Sequence, residues 1–441
     1  MIVGRLYRYL IPIGLCIALS AAAQPGSDAR PPGYNLLGST TAHAALPLGR
    51  FTLAQAVEAM RGGHPLFAAA RANERAAAAD VVGAGLWTNP IADAAYGRSF
   101  LNPQTDPVGS VGLGLTQFME TSNVPEAKQN VARFTEKAVH TEGELLRRVL
   151  ALDVEAGCVA LVAAAAKVQM FAEANAELDR ANQIVNARVH AGAAPQYDAS
   201  RIAVAVAQAR AALADAHADI VQSRGALDVA VGPGAAQLTG LPDLDLFAVA
   251  TPEALDALQT LTAQSRPDLV AAQQRAQAAE AQVVVARRVV LPGFSVRGGM
   301  YFGTTPGEFG GTVSVGVPLP FVDRGQGSIS AAVAHAEAAR ATVDALALQA
   351  GQRVRSAHEE TLRRRETLRQ YMETGVTRSH GMAQEAEAGY RAGKLSVLEL
   401  VDAYVAKRDA RLRAIELATD ARLAELRLRR AVQAGLSWSA N

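Results

Sequence analysis

Two cysteines in 441 residues, Cys16 and Cys158, are too few for a disulfide framework or a thiolate metal site. Charge of one sign is also missing. The 43 basic and 42 acidic side chains leave a formal +1, with no cation excess to displace counterions from nucleic acid. Proline is absent between Pro125 and Pro195 and again after Pro320, so uninterrupted helix is permitted over both stretches. Aromatic residues make up only 5% of the chain, and the apolar half is mostly alanine, valine and leucine, a helix-forming mix. Past the N-terminus no charge-free apolar run reaches the roughly 20 residues of a spanning helix, so if the processed chain meets a membrane it is expected to do so by strands.

At the N-terminus, Arg5 and Arg8 precede a 14-residue apolar run, Leu10 to Ala23, that ends in three alanines. This is the order of a secretory signal, with cleavage expected after Ala23. Residues 1–23 therefore read as signal peptide and 24–50 as an extended segment. Leu15 stands where a lipidation site ahead of Cys16 wants a small residue, which argues against an anchor. Cys158 is then the one cysteine of the processed chain, and a buried small hydrophobe is its expected role.

Proline and glycine recur in two matching sets. His64 and Pro65 correspond to Arg266 and Pro267, and Asn89 and Pro90 to Leu291 and Pro292, at an offset of 202. The Ser110, Val111, Gly112 triplet meets Ser314, Val315, Gly316 at 204, and Gly192 meets Gly393 at 201. The chain is thus expected to repeat one unit, 51–240 and 241–441, joined at Gly232 to Pro252. Each unit reads as a short helix, two strands and a long helical hairpin. Leu145, Val149, Leu152, Ala156, Val159, Ala163, Ala166 and Met170 alternate spacings of four and three, a coiled-coil stripe. A helix from Pro125 to His190 would be on the order of 100 Å long at ~1.5 Å per residue, which excludes a compact globule.

Period-two alternation places strands at about 91–100 and 108–117, before helices that start after 125, and at about 293–302 and 311–319, before helices that start after 325. The wider stretches Leu86 to Phe118 and Leu291 to Phe321 hold 9 of the 22 aromatics, which suits girdles at a membrane surface. Four strands cannot close a barrel and an open edge is not tolerated in lipid, so several chains must each contribute a share. The competing reading is a small soluble sheet capping a helical rod.

Three stretches then carry a resemblance to the TolC family of outer membrane factors: "EAGYRAGKLSVLELVDA" from Glu387 to Ala403, "ARVHAGAAPQYDA" around Gly192, and "VPLPFVDRGQGSISAA" from Val317 to Ala332. The last is similar to the cobalt-zinc-cadmium resistance branch. "TQFMETSNVPEAKQ" from Thr116 departs from the family pattern in lacking paired glycines and a basic pair. The resemblance implies an α+β membrane protein: a homotrimeric 12-stranded β-barrel in outer membrane lipid, continued across the periplasm by a coiled-coil α-helical barrel. It implies passive export, with a periplasmic adaptor and a resistance-nodulation-division pump of the inner membrane as partners and no cofactor. Its periplasmic gate falls on Asp198 and Tyr390, and its acidic selectivity pair on Glu399 and Asp402. Leu395 stands where the family has a gate arginine, with Lys394 one residue earlier. Arg188, Gly192, Arg391 and Gly393 form the tips where the adaptor docks.

The residues also admit plainer roles. Ser396 and Glu399 have capping-box spacing, and Asp198, just past Pro195, suits a helix N-terminus. Gly192 and Gly393 are expected in left-handed turns. Enzyme signals are weak: His358 and Glu359 begin like a zincin helix, but Leu362 replaces the second histidine. The expected function is a passive outer membrane duct for efflux, most simply of heavy-metal cations, and no enzyme. The exit duct of a drug or protein exporter and a periplasmic coiled-coil adaptor stay open as alternatives.

Overall fold

A computed structural model describes residues 49–98, 109–291, 293–303 and 308–433. The expected signal peptide at 1–23, nearly all of the expected 24–50 segment, residues 99–100 and 108 of the expected strands, and Pro292 lie outside the described residues. The described residues all fall within a single contact unit.

The first half runs β1 (Arg50–Phe51), α1 (Leu53–Gly63), α2 (Pro65–Ala84), β2 (Ile91–Arg98), β3 (Gly109–Met119), α3 (Val124–His190) and α4 (Gln196–Val231). A 3-10 turn, Gly232–Gln237, leads to β4 (Leu241–Pro242), α5 (Leu255–Ser265), α6 (Pro267–Val289), β5 (Phe294–Gly303), β6 (Phe309–Gly316) and α7 (Gln326–Tyr371). A π-helical turn, Met372–Val376, then α8 (Thr377–Arg391) and α9 (Val397–Val432) complete the described chain. Two helices precede each strand pair where the sequence pattern predicts one. The break lies before Pro65 and Pro267, because a residue ahead of proline is pushed out of the helical region; His64 and Arg266 are both extended there. The second strand of the second half stops at Gly316 and not at 319, since Pro318 and Pro320 cannot donate to a ladder.

The proline-free stretch before Pro195 forms α3, 67 residues long. No spanning helix is expected from the charge-free runs of the sequence, yet α3 holds an apolar window long enough to be one; 44% of that window is buried in the fold. Val154, Cys158, Leu161 and Leu227 pack there with α1 and the 3-10 turn. Cys158 is fully buried, and desolvation pushes its thiol up to about 12, so it is an inert core residue.

The four longer strands form an antiparallel sheet in the order β2-β3-β5-β6. Register gives it two unlike faces. One carries Tyr96, Val111, Phe302 and Phe309 in one row, Ala94, Leu113 and Met300 in the next, and Ala92, Leu115 and Val313 in a third. The large members of this face are exposed, Leu113 at 51% and Val313 at 82%. The other is mostly polar, carrying Asp93, Ser110, Thr116, Arg297, Thr312 and Ser314 beside Ile91, Phe118 and Tyr301. Asp93 on β2 and Arg297 on β5 form an ion pair across the intervening β3. A Cβ on Gly114 would stand 2.9 Å from both side chains, so glycine there gives the pair room to cross.

In the second half the helix is not continuous. Buried α7 residues Val354, Ala357, Thr361 and Leu368 keep spacings of three, four and seven, which extrapolate to positions 378, 382, 385 and 389. The buried residues of α8 are Ser379, Ala383, Ala386 and Tyr390, each one position later. The π-turn absorbs that one extra residue and keeps the apolar seam facing the core. Deleting Gly375 is therefore expected to leave assembly intact and to raise amide-exchange protection over 371–376. Deleting Ala172 in α3, where nothing absorbs a rotation of about 100°, is expected to prevent assembly. Equal assembly of both deletions, followed by gel mobility and hydrogen exchange, would count against this account.

Candidate functional site

The tips of the two hairpins share one core. Leu178, Val185, Ile202 and Val206 from α3 and α4 pack with Tyr390, Val397, Leu400 and Tyr404 from α8 and α9. Each tip turns on a glycine in the left-handed region, Gly192 at φ 69° and Gly393 at φ 71°, which a side chain would strain. The turns are hydrogen-bonded alike: the amides of Ala193 and Lys394 donate to the carbonyls of Arg188 and Gly389, both at 2.8 Å.

Asp198 lies in the first turn of α4, where an acid favours the helix dipole. Its Oδ2 is 3.5 Å from the Tyr390 hydroxyl, so the two residues that the resemblance assigns to a gate meet between the hairpins. Tyr390 is 2% exposed, and burial first, then the Asp198 charge, pushes its phenol above the usual range. Glu399 accepts from the Ser396 amide at 2.7 Å and hydroxyl at 2.8 Å while its own amide donates to Ser396 Oγ, a complete capping box. The Ser396 amide holds the Glu399 carboxyl below the usual range. The cap's contribution is thus present above the unfolded carboxylate range and lost as pH falls through the lowered folded value. Asp402 is exposed one turn further along α9.

The two arginines that the resemblance assigns to docking separate. Arg391 is 61% exposed and pairs along its own helix with Glu387, which also accepts from the Tyr404 hydroxyl at 2.7 Å. Arg188 is drawn between the hairpins: its guanidinium lies 4.7 Å from the Tyr390 ring centroid and donates to the Tyr390 carbonyl. Leu395 fills the shared core, and Lys394 is exposed. Sequence reasoning missed the rungs that tie α9 to α3, Lys407 to Glu177 at 2.7 Å and Arg411 to Glu173 at 2.5 Å. Their only sequence signal is opposite charge, which has no fixed spacing across 230 residues. Among the described residues, no group of three or more histidine, cysteine or acidic side chains is placed to hold a metal ion. His358 bonds to the Glu253 carbonyl.

Long paired hairpins continued into a two-faced sheet define the class of outer membrane channel folds. The structure superposes on the outer-membrane channel OprN with a TM-score of 0.74 at 21% identity, over 87% of this chain and 90% of that one. CusC, described in terms of transmembrane channel formation, gives 0.73 at 16% over 86% and 92%. VceC, an outer membrane protein of Vibrio cholerae, gives 0.71 at 18% over 87% and 96%. No curated protein sequence matches the chain. Residues 258–433 match the family model described as outer membrane efflux protein. The family match lies in the second half of the chain, and the fold over nearly the whole chain is that of the solved outer membrane channels.

Proposed function

We propose that the chain is the passive exit duct of a tripartite efflux system, carrying heavy-metal cations from periplasm or pump to the exterior. One observation carries the duct: a four-stranded sheet, apolar on one face and mostly polar on the other, has edges at β2 and β6 that are unpaired among the described residues, which lipid does not tolerate. Three chains of four strands then close a 12-stranded barrel, with the long hairpins forming a helical barrel that reaches into the periplasm. The like order of elements in 51–240 and 241–441 supports two copies of one unit. The metal branch rests on the resemblance of Val317 to Ala332. An adaptor meets the tips at Gly192, Gly393 and Arg391, and a resistance-nodulation-division pump supplies the energy. The single-hairpin adaptor alternative does not suit a chain with two hairpins.

Asp198 and Tyr390 close the gate, and three copies of Glu399 and Asp402 form an acidic ring that favours cations. In planar bilayers, replacing both acids with alanine is expected to lower the cation-over-anion permeability ratio roughly tenfold, the lower end of the enrichment that a focused field gives. An unchanged ratio leaves Glu399 as a helix cap alone. Loss of the gene is expected to sensitise cells to cobalt, zinc or cadmium; sensitivity to drugs alone would move the substrate to another branch.

A further inference from the structure

Among the described residues, Arg188 is the one cation that bonds to both hairpin tips. It occupies the last turn of α3, yet its Nη1 donates to the carbonyl of Tyr390 in the last turn of α8, 202 positions away, and its Nη2 lies 3.4 Å from the Ala193 carbonyl in its own tip. The Tyr390 carbonyl, which also accepts from the Gly393 amide at 3.0 Å, sits in the last turn of α8, where the dipole favours a positive charge, and Ala193 lies in the turn just beyond α3. The same guanidinium covers the Tyr390 ring, while the phenol oxygen reaches Asp198 on α4. Tyr390 is thereby held at its backbone, its ring and its hydroxyl by the other hairpin. No neighbouring residue offers this. Leu395 packs over Gly389, where an added Cβ would stand 2.7 Å from its Cδ1, and only the backbone of Lys394 is engaged, its amide donating to the Gly389 carbonyl.

We infer that Arg188 is a positioning residue of the periplasmic end: by pinning Tyr390 it keeps the second hairpin's tip against the first, and separating the tips requires its release. A surface role in adaptor docking is then secondary, because the guanidinium is spent inside the protomer. The cation is supplied by the first hairpin and not by Lys394 of the second. This rests on reading the tips as a gate.

The test measures single-channel conductance of purified full-length protein in planar bilayers at low voltage, with gel mobility reporting assembly. Arg188→Gln is expected to raise open probability roughly three- to tenfold, as for loss of one hydrogen bond of ordinary strength that only the closed state makes. Arg188→Lys keeps the charge without the planar fork and should fall between. Tyr390→Leu should open the channel as well, and the double variant should add little, since the two residues act as one unit. Open Tyr390→Leu channels beside wild-type behaviour in Arg188→Gln would overturn the role of Arg188 and leave the gate standing. Wild-type conductance in both would remove the gate itself. An opening in Lys394→Gln that Arg188→Gln lacks would assign the cation to Lys394. Should Arg188→Gln fail to assemble, Arg188→Lys decides by the same comparison.

Discussion

Leu113→Arg is expected to abolish assembly in the outer membrane, whereas Thr312→Arg is expected to assemble as the wild type does. Leu113 sits near the middle of β3, in the row with Ala94 and Met300, on the face whose large apolar side chains find no cover within the chain. If that face meets lipid, an arginine near the bilayer midplane costs roughly 2–4 kcal/mol per copy, and three copies roughly 6–12 kcal/mol. Thr312 lies on the opposite face, in the row of Asp93, Gly114 and Gly299, where water would solvate a new charge. Heat-modifiable oligomer in the outer membrane fraction provides the measurement. Should Leu113→Arg assemble normally and Thr312→Arg fail, the faces are reversed and the duct has no lumen as drawn.

The second large effect belongs to Arg266. This side chain is 3% exposed, forks onto Asp268 at 2.7 and 2.9 Å, and donates to the Ala431 carbonyl at 2.8 Å. It therefore joins the start of α6 to the end of α9, whose final carbonyls have no helical partner. Arg266→Met leaves the Asp268 carboxylate half-buried without its cation and the Ala431 oxygen without its donor. Breaking one side of a buried pair in this way costs about 3–5 kcal/mol. Arg50→Met provides the comparison: its bond to Asp243 at 3.0 Å is also long-range, but the side chains are 76% and 60% exposed, and such pairs contribute about 0–1 kcal/mol. Thermal unfolding of the solubilised protein should show a marked drop for the first and almost none for the second. Equal shifts would mean that burial at Arg266 does not govern its contribution.

Much of the helical architecture was legible because its determinants are local. A proline-free stretch gave the 67-residue α3, capping-box spacing placed Ser396 at the start of α9, and glycines marked both tips. Each depends on residues within about four positions of one another, the range over which a helix or turn is decided. The π-turn lay beyond that reach, since a one-residue slip becomes visible only when the buried positions on either side of it are compared.

By itself, then, the sequence determined the element types, the two-faced strands and the places where hairpins turn. Only the tertiary structure decided that Arg188 pins Tyr390, that Arg266 reaches Ala431 and that Asp93 crosses Gly114 to Arg297, contacts spanning 202, 165 and 204 residues. Backbone periodicity ties a residue to near neighbours through fixed geometry. A guanidinium finds its carbonyl or carboxylate only after the chain has folded, and no spacing rule connects them beforehand.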